Sequence, residues 1–330
     1  MAETRWFLPV IAEAIWRLGA DMNRVDKLLK DIKDLKVQGA RNVAKAGIRA
    51  VIWTVEDSKA KTKEQLVKEL REARGRIMHV RPTEPMLRNI MRESVDFSIS
   101  EIAGRPTASL EQLKKMIVRD EGEYLKKMEG SMANIAEFGS MLLPEKGLVV
   151  THCHSSTVTG ILKRAHKDGK KISVVCCETR PRWQGRITAE ELAKAGMDVT
   201  LTVDMGVNRF MKKADMVIVG ADAVTAMGDL INKVGTSALA RLARMNDVSF
   251  YSAAELYKYD PLTIYGARET IEERGPKEVW ERPPKGVKIS NPAFDATAAR
   301  YINGYITEMG VVPPQALWAV AMKKLAREMK

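Results

Sequence analysis

The sequence predicts an α/β protein in which an N-terminal all-helical domain is followed by a Rossmann-like domain built on a parallel sheet. Two observations lead to this prediction. In the first half, apolar residues recur at three- and four-residue spacing, the period of an amphipathic helix. In the second half, short apolar runs alternate with helical segments, as in successive strand–helix units. We therefore predict a helical domain at 1–143 and a catalytic sheet domain at 144–330.

The clearer helices of the N-terminal half are predicted at residues 25–36, 39–58, 63–77 and 110–138. Proline-containing segments at 81–83 and 104–106 separate some of them. An amphipathic, tryptophan-containing stripe at 6–18 precedes the first helix. We expect this stripe to pack against its own domain, with recruitment of a partner as the alternative.

Six strands are predicted from the apolar runs of the C-terminal half, at residues 148–151, 172–177, 199–203, 216–219, 248–252 and 304–307. Runs that are apolar on both faces suit a parallel sheet buried between helices. The segment 274–285 is rich in charge and proline and is predicted to be a surface loop.

The bulk composition argues for a cytoplasmic protein that handles anionic small molecules. No apolar run approaches the roughly 20 residues needed to cross a bilayer. Three cysteines, two of them adjacent, are typical of a reducing compartment. The net charge of +12 is spread along the chain without an aromatic-plus-basic motif, so phosphorylated ligands explain it better than nucleic acid.

The first predicted strand leads into a polar turn, and ligands of open α/β sheets bind past the carboxyl ends of the strands. Ser155, Ser156 and Thr157 precede a helix whose backbone N–H groups suit a phosphate. The same position is expected to lower the pKa of Cys153 and make it a reactive thiolate. The alternative is that Cys153 is a packing residue and that the serines only cap the helix.

The fourth strand ends at Asp222, where partial desolvation is expected to raise the carboxyl pKa toward a value useful for proton transfer. A helix cap or a surface acid is the alternative. Asn232 and Lys233 precede another helix, so they supply a cation next to a second helix start suited to phosphate. Lys258 follows the fifth strand and is a candidate for a second phosphate, although a loop lysine is more often solvated.

No metal site is predicted. His152, Cys153 and His154 are the natural candidates, but adjacent residues point in different directions and the chain holds no second cluster of cysteine and histidine.

Seven short motifs, in their order along the chain, resemble a single superfamily. The motifs are Gly39-Ala40, Arg81-Pro82-Thr83, Thr151-His152-Cys153-His154-Ser155, Glu178-Thr179-Arg180-Pro181, Gly220-Ala221-Asp222, Asn232-Lys233-Val234-Gly235-Thr236 and Asn291-Pro292-Ala293-Phe294-Asp295. The superfamily contains methylthioribose-1-phosphate isomerase, archaeal ribose-1,5-bisphosphate isomerase and the regulatory alpha, beta and delta subunits of the exchange factor for translation initiation factor two. The residues after Cys153 and the run at 180–185 are most similar to the archaeal ribose-1,5-bisphosphate isomerases.

The resemblance implies that Cys153 and Asp222 are the catalytic pair that converts ribose 1,5-bisphosphate into ribulose 1,5-bisphosphate, with no metal or organic cofactor. It also implies a homodimer or homohexamer and AMP as an effector. The substrate-binding positions that it implies are Gly39, Ala40, Arg41, Arg81, Ser155, Ser156, Thr157, Asn232, Lys233 and Lys258.

One departure from the isomerase pattern concerns the phosphate loop. These isomerases typically have an arginine where this chain has Gln38. Arg41, one helical turn on, is a candidate replacement, and a shift in substrate or rate is the other reading. The rival function is a non-enzymatic, exchange-factor-like regulatory subunit that senses a nucleotide or sugar phosphate. The intact pair of Cys153 and Asp222 favours the enzyme, and methylthioribose-1-phosphate isomerase is the weaker enzymatic alternative.

Overall fold

The computed structural model describes residues 23–81, 84–266 and 271–327, with side chains described up to residue 324. The predicted amphipathic stripe at 6–18 lies outside the described residues.

Five helices form the described part of the N-terminal half, and this confirms the helical part of the predicted fold class. They are α1 (Arg24–Lys33), α2 (Ala40–Glu56), α3 (Lys63–Val80), α4 (Pro85–Ala103) and α5 (Leu110–Leu142). Ser109 starts α5 with a capping box, in which its hydroxyl and the Gln112 side chain each accept a backbone N–H of the other. α4 was not among the clearer predicted helices because its buried face carries polar residues, Asn89, Ser94 and Ser98, that interrupt the apolar pattern.

The long helix α5 connects the two halves of the molecule. Leu113 and Ile117 near its start belong to the core of the helical region. Near its end, Gly139 packs so closely on Ile161 that a Cβ at this position would lie 2.5 Å from that side chain. None of the described helices has the length and apolar character that a membrane-spanning segment requires.

The C-terminal half contains eleven described strands and five described α-helices. The strands are β1 (Lys146–His152), β2 (Lys171–Cys177), β3 (Asp198–Thr202), β4 (Met216–Val219), β5 (Ala223–Thr225), β6 (Leu230–Lys233), β7 (Ser249–Ala253), β8 (Tyr259–Asp260), β9 (Phe294–Thr297), β10 (Gly304–Thr307) and β11 (Gly310–Val312). The helices are α6 (Ser156–Lys167), α7 (Gln184–Lys194), α8 (Asn208–Met211), α9 (Thr236–Met245) and α10 (Pro314–Arg327).

The main sheet has seven strands in the order β11-β10-β7-β4-β1-β2-β3, parallel except for the antiparallel pair β10–β11. All six predicted strands lie in this sheet, so the parallel-sheet part of the prediction is confirmed. From β1 the chain moves outward to β2 and β3, and it then returns to the other side of β1 as β4. The strand order therefore reverses between β1 and β4, the position where ligands bind in open α/β sheets.

A second sheet of four short strands, in the order β8-β5-β6-β9, was not predicted. Its strands are two to four residues long, too short for a periodic signal to emerge. Asn232 and Lys233, which were predicted to precede a helix, are the last two residues of strand β6.

The predicted surface loop at 274–285 is wrong at its first residue. Residues 279–285 are exposed, but only 8 % of the Arg274 side chain is accessible. Its backbone N–H donates to the carbonyl of Asn291 at 2.9 Å, beside a bridge between Glu273 and Pro292. This pairing with the 291–293 segment turns the Arg274 side chain inward.

Candidate active site

Cys153 and Asp222 follow neighbouring strands at the reversal point of the main sheet. β1 pairs in parallel with β4 through Val149–Met216 and Val150–Val217, so both strands end at the same edge. Beyond those ends, Gly220 lies so close to Ser155 that a Cβ on the glycine would be 2.8 Å from that side chain. Only a glycine at position 220 allows this close contact with Ser155. The contact brings together the turns that carry Cys153 and Asp222.

The main chain of Cys153 is held on both sides by threonine hydroxyls. Its N–H donates to Oγ1 of Thr179 at 2.8 Å, and its carbonyl accepts from Oγ1 of Thr188 at 2.9 Å. The residue has a φ of 67°, a left-handed conformation that is uncommon outside glycine and costs energy. Thr179 and Thr188 therefore fix the direction of the Cys153 side chain. Sequence reasoning assigned neither threonine a role.

The Cys153 thiol does not have the lowered pKa predicted for it. Burial raises the pKa of Cys153 to about 11, the nearby Asp222 carboxylate adds to the increase, and the positive charges of Lys233 and Arg274 act in the opposite direction. The prediction failed because Cys153 lies two residues before the helix cap, and removal of the thiol from water outweighs the helix start.

Asp222 shows the raised pKa expected for a desolvated strand-end carboxyl. Burial raises the pKa of Asp222, against the nearby positive charges, of which Lys233 has the largest effect and Lys258 the next. Its backbone N–H donates to the carbonyl of Ile231 at 3.0 Å, which joins the β4 end to strand β6. An acid in this position holds its proton more strongly than an exposed aspartate does.

Two buried lysines lie around Asp222. Nζ of Lys233 donates to the carbonyl of Ala293 at 2.9 Å, and Nζ of Lys258 donates to the carbonyl of Ala221 at 2.7 Å. Both residues are at most 7 % exposed, so Lys258 is not the solvated loop lysine of the alternative reading. Asn232 donates from Nδ2 to Oγ1 of Thr236 at 3.0 Å and is also buried.

Arg81 and Glu84 add a buried pair beside Asp222. Nη2 of Arg81 is 3.1 Å from Oε1 of Glu84 and 3.6 Å from Oε2 of Glu272. Glu84 is 2 % exposed, and burial together with the Asp222 charge raises its pKa to about 7. Sequence reasoning missed Glu84, although its position directly after the Arg81 motif was a signal.

The start of helix α6 is partly available to a ligand. Ser155 is the N-cap and accepts the N–H of Val158 at 3.4 Å, while Ser156 is exposed. Thr157 is 3 % exposed and its hydroxyl donates to the sulfur of Met132 at 3.6 Å. The side chain of Thr157 therefore contacts helix α5, and only its backbone N–H remains for an anion.

The loop before helix α2 differs from the predicted phosphate loop. Gly39 is exposed, has a φ of 85° and precedes Ala40, the first residue of the helix. Arg41 is directed elsewhere, since Nη1 forms an ion pair with buried Glu255 and Nη2 donates to the carbonyl of Met128 at 2.6 Å. These contacts engage the guanidinium of Arg41 within the protein, so Arg41 does not stand in for the arginine missing at Gln38.

The start of helix α9 is already covered by a carboxylate. Asp295 accepts the N–H of Gly235 at 2.7 Å and that of Ser237 at 3.0 Å. An acid at a helix start replaces an anionic ligand there. The expectation that this second helix start suits a phosphate is therefore wrong, and the 291–295 loop has the structural role of capping α9.

Among the described residues, one group has atoms close enough to suggest a metal: His152, Cys177 and Asp204 lie within 4.8 Å of one another. His152 and Asp204 already make hydrogen bonds within the protein, and the thiol of Cys177 is neutral. Nε2 of His152 is 2.9 Å from the carbonyl of Val234, and both carboxylate oxygens of Asp204 accept backbone N–H groups after β2. Burial raises the pKa of Cys177 to about 12. The donor set does not fit a metal ion, and we assign none.

The chain and its fold match a known family. Residues 36–314 match the model of the initiation factor 2 subunit family, and the chain belongs to this family. The ribose 1,5-bisphosphate isomerase of Methanocaldococcus jannaschii is 37 % identical over 306 residues, which cover 92 % of this chain and 96 % of that protein. The ribose 1,5-bisphosphate isomerase of Pyrococcus furiosus is 39 % identical over 300 residues, which cover 89 % and 92 %.

Comparison with a solved structure agrees with the sequence matches. The 5-methylthioribose 1-phosphate isomerase of Pyrococcus horikoshii superposes with a TM-score of 0.76 at 30 % identity, covering 92 % of this chain and 87 % of that chain. The resemblance drawn from the motifs is therefore confirmed. Within its family, this chain is an enzyme of the aldose–ketose isomerase class.

Proposed function

We propose that this protein converts ribose 1,5-bisphosphate into ribulose 1,5-bisphosphate, with Cys153 and Asp222 as the proton-transfer pair. The observation that carries the proposal is their position at the ends of neighbouring strands β1 and β4, close enough for the Asp222 charge to raise the Cys153 pKa. The names of the two relatives described above support the choice of substrate.

The reaction is a set of balanced proton transfers. Asp222, as the acid, donates a proton to the ring oxygen while the bond between that oxygen and C1 breaks. Cys153, as the thiolate, takes the proton from C2, which gives an enol next to the phosphorylated carbon. The enol hydroxyl then returns a proton to Asp222, and the Cys153 thiol delivers its proton to C1 to give the ketone. Both side chains regain their starting state, and the route uses no metal or organic cofactor.

This chemistry needs a thiolate and a carboxylic acid at the same time. The pair of thiolate and carboxylic acid carries the same total charge as the pair of thiol and carboxylate. The two pairs differ only in the position of one proton, so their ratio does not change with pH between the two pKa values of the coupled groups. The raised pKa of Asp222 and the positive charges of Lys233 and Arg274 near Cys153 favour the reactive form, whereas burial, which raises the pKa of Cys153 to about 11, acts against it.

The phosphates and hydroxyls of the substrate are bound, in this proposal, by groups that surround the pair. These groups are Gly39, Arg81, Ser155, Ser156, Asn232, Lys233 and Lys258. Two of them, Lys233 and Lys258, are buried cations, and charge-assisted hydrogen bonds from such groups to phosphate are strong. Ala40 contributes through its backbone N–H only, because its side chain is buried, as does Thr157.

The decisive experiment measures isomerisation of ribose 1,5-bisphosphate by the wild type, Cys153→Ser and Asp222→Asn, with Cys176→Ala as the matched cysteine control. We expect turnover by the wild type and the control, and a loss of at least about a hundredfold in the other two variants. The same assay with AMP tests our proposal that AMP is an effector. Turnover that survives both substitutions in folded protein refutes the assigned pair.

A second candidate function is a sensor that binds a sugar phosphate or nucleotide without chemistry. One observation favours it: Gln38 is exposed and Arg41 is paired with Glu255, so neither position supplies a free arginine at the start of helix α2. A folded wild type that binds ribose 5-phosphate in calorimetry but leaves ribose 1,5-bisphosphate unchanged would support the sensor.

We also propose a cytoplasmic homodimer or homohexamer. The three free cysteines accord with a reducing compartment. The edge strand β3 and the turn after it expose Leu201, Val203 and Met205, apolar side chains that a subunit contact would cover. Light scattering coupled to gel filtration measures the mass, and a monomer at micromolar concentration rules the oligomer out.

A further inference from the structure

Arg274 occupies a fixed position at the active site. Its backbone N–H donates to the carbonyl of Asn291 at 2.9 Å, and the N–H of Ala293 donates to the carbonyl of Glu272 at 2.8 Å. These bonds tie the 272–274 segment to the loop that also receives Nζ of Lys233. This main-chain pairing fixes the position of the Arg274 backbone beside the 291–293 segment.

The Arg274 guanidinium has donors that no described residue accepts. Nε and Nη1 are buried, and neither has a hydrogen-bond acceptor among the described residues. The nearest carboxylate oxygen to Nε is Oε1 of Glu272, at 3.6 Å, which is too far for a hydrogen bond. Buried charged donors without acceptors are costly, so a retained pair of this kind indicates an acceptor brought by a ligand.

These donors lie in the same cleft as Lys233, a residue of the proposed active site. The positive charge of Arg274 also acts against the raised pKa values of Cys153 and Asp222, as a weaker influence than that of Lys233. The cleft is narrow and is also lined by Asn291 and Gln184. Oε1 of Gln184 is buried there without a donor. Two cations and an unused acceptor suit a ligand that carries both an anionic group and hydroxyls.

We propose that Arg274 binds a phosphate group of the substrate through Nε and Nη1, as a ligand-binding residue beside Lys233. The identity of the ligand as a sugar bisphosphate rests on the proposed function, whereas the binding of a phosphate by Arg274 does not. Glu272 lies 3.6 Å from Arg81 and 3.6 Å from Arg274, so it positions both guanidinium groups without contacting the ligand.

The test measures binding, so it remains informative whether or not the protein turns over a bisphosphate. Calorimetry with ribose 5-phosphate and with inorganic phosphate compares the wild type, Arg274→Met and the control Arg282→Met, whose arginine is exposed on the same segment. We expect Arg274→Met to weaken binding by on the order of ten- to a hundredfold, and Arg282→Met to leave it unchanged. A folded Arg274→Met protein with wild-type affinity overturns the proposal.

A second measurement uses the wild type alone and decides the matter if Arg274→Met does not fold. In crystals soaked with ribose 5-phosphate, we expect a phosphate oxygen within hydrogen-bond distance of Nε or Nη1 of Arg274. A bound ligand whose phosphate lies elsewhere overturns the proposal. Binding that depends on Arg274, in a protein that does not isomerise ribose 1,5-bisphosphate, refutes the proposed function and leaves this inference standing.

Discussion

The amide N–H of Cys153 donates a hydrogen bond of 2.8 Å to the hydroxyl oxygen of Thr179, a residue that follows the adjacent strand. Both residues have left-handed backbone conformations, with φ of 67° and 65°. The hydroxyl of Thr179 in turn donates to the carbonyl of Cys177 at 3.1 Å. Two strained turns at the ends of β1 and β2 thus support each other, and the thiol direction depends on this link.

Replacing Thr179 tests the link. Thr179→Val keeps the shape of the side chain but removes the acceptor of the Cys153 N–H, so we expect the free energy of unfolding to fall by about 1–3 kcal/mol. We also expect kcat/KM to fall, because the thiol is no longer held in place. Urea unfolding and initial rates measure the two effects. Thr179→Ser retains the hydroxyl, and equal behaviour of the two variants would contradict the assigned role.

The reactivity of Cys153 provides a direct measure of its raised pKa. Because the pKa of Cys153 is about 11, its alkylation by iodoacetamide is expected to accelerate about tenfold per pH unit from about pH 7 to 10. Asp222→Asn removes a negative charge and is expected to move this profile to lower pH. Mass spectrometry separates Cys153 from Cys176 and Cys177, which are buried. A rate that levels off below about pH 8 would show that the thiol is not desolvated.

Arg41 is expected to matter for stability. Its ion pair with Glu255 is buried, with side chains 9 % and 2 % exposed. Arg41→Met leaves the Glu255 carboxylate without its partner, and we expect a loss of about 3–5 kcal/mol in the free energy of unfolding.

The double variant Arg41→Met/Glu255→Gln also removes the unpaired negative charge of Glu255. We expect it to recover part of the free energy of unfolding that Arg41→Met loses. The exposed pair Lys68–Glu72 is the matched control, for which Lys68→Met should change stability by no more than about 1 kcal/mol. A loss for Arg41→Met as small as that of the control would mean that the buried pair does not stabilise the fold.

Glu121 is expected to make stability depend on pH. Burial raises its pKa to about 8, above the value of about 4.3 in an unfolded chain. Between these two values the folded state binds more protons than the unfolded state, so stability falls as pH rises. Glu121→Gln is neutral throughout, and we expect it to gain on the wild type, by on the order of a few kcal/mol, between about pH 5 and 8.

Thermal unfolding of the wild type and Glu121→Gln over that pH range measures the difference. Glu123, an exposed acid on the same helix, is the control position. Parallel stability curves for the wild type and Glu121→Gln would show that Glu121 is ionised in the folded protein at the lower pH.

Local patterns predicted much of the fold. The strands at 216–219 and 304–307 match the structure at both ends, because a short apolar run bounded by polar residues is a local signal. Helix α4 and the second sheet escaped prediction for the opposite reason. The helix buries polar residues, and the strands of the second sheet are too short to show a period.

The residues of the candidate site also fall into those that local patterns predicted and those that they did not. Cys153 and Asp222 were identified from their place after apolar runs and from the motifs around them. Thr179 and Arg274 were assigned no role, because their importance comes from contacts with segments distant in the chain, Thr179 with Cys153 and Arg274 with Asn291. Glu84 was missed because its burial near Asp222 is a property of the packed molecule. The raised pKa of Cys153 was not predicted either, since the extent of burial depends on those same contacts.

The sequence by itself determined the helical and parallel-sheet halves of this protein and the residues that follow its strands, because periodicity and strand ends are written locally in the chain. Only the tertiary structure decided that β4 returns beside β1, that Asp295 covers the start of α9, and that Arg41 pairs with Glu255. It also decided that the buried donors of Arg274 have no acceptor within the described part of the chain. Strand order, pairing between distant side chains and desolvation are properties of the packed molecule, and no local pattern contains them.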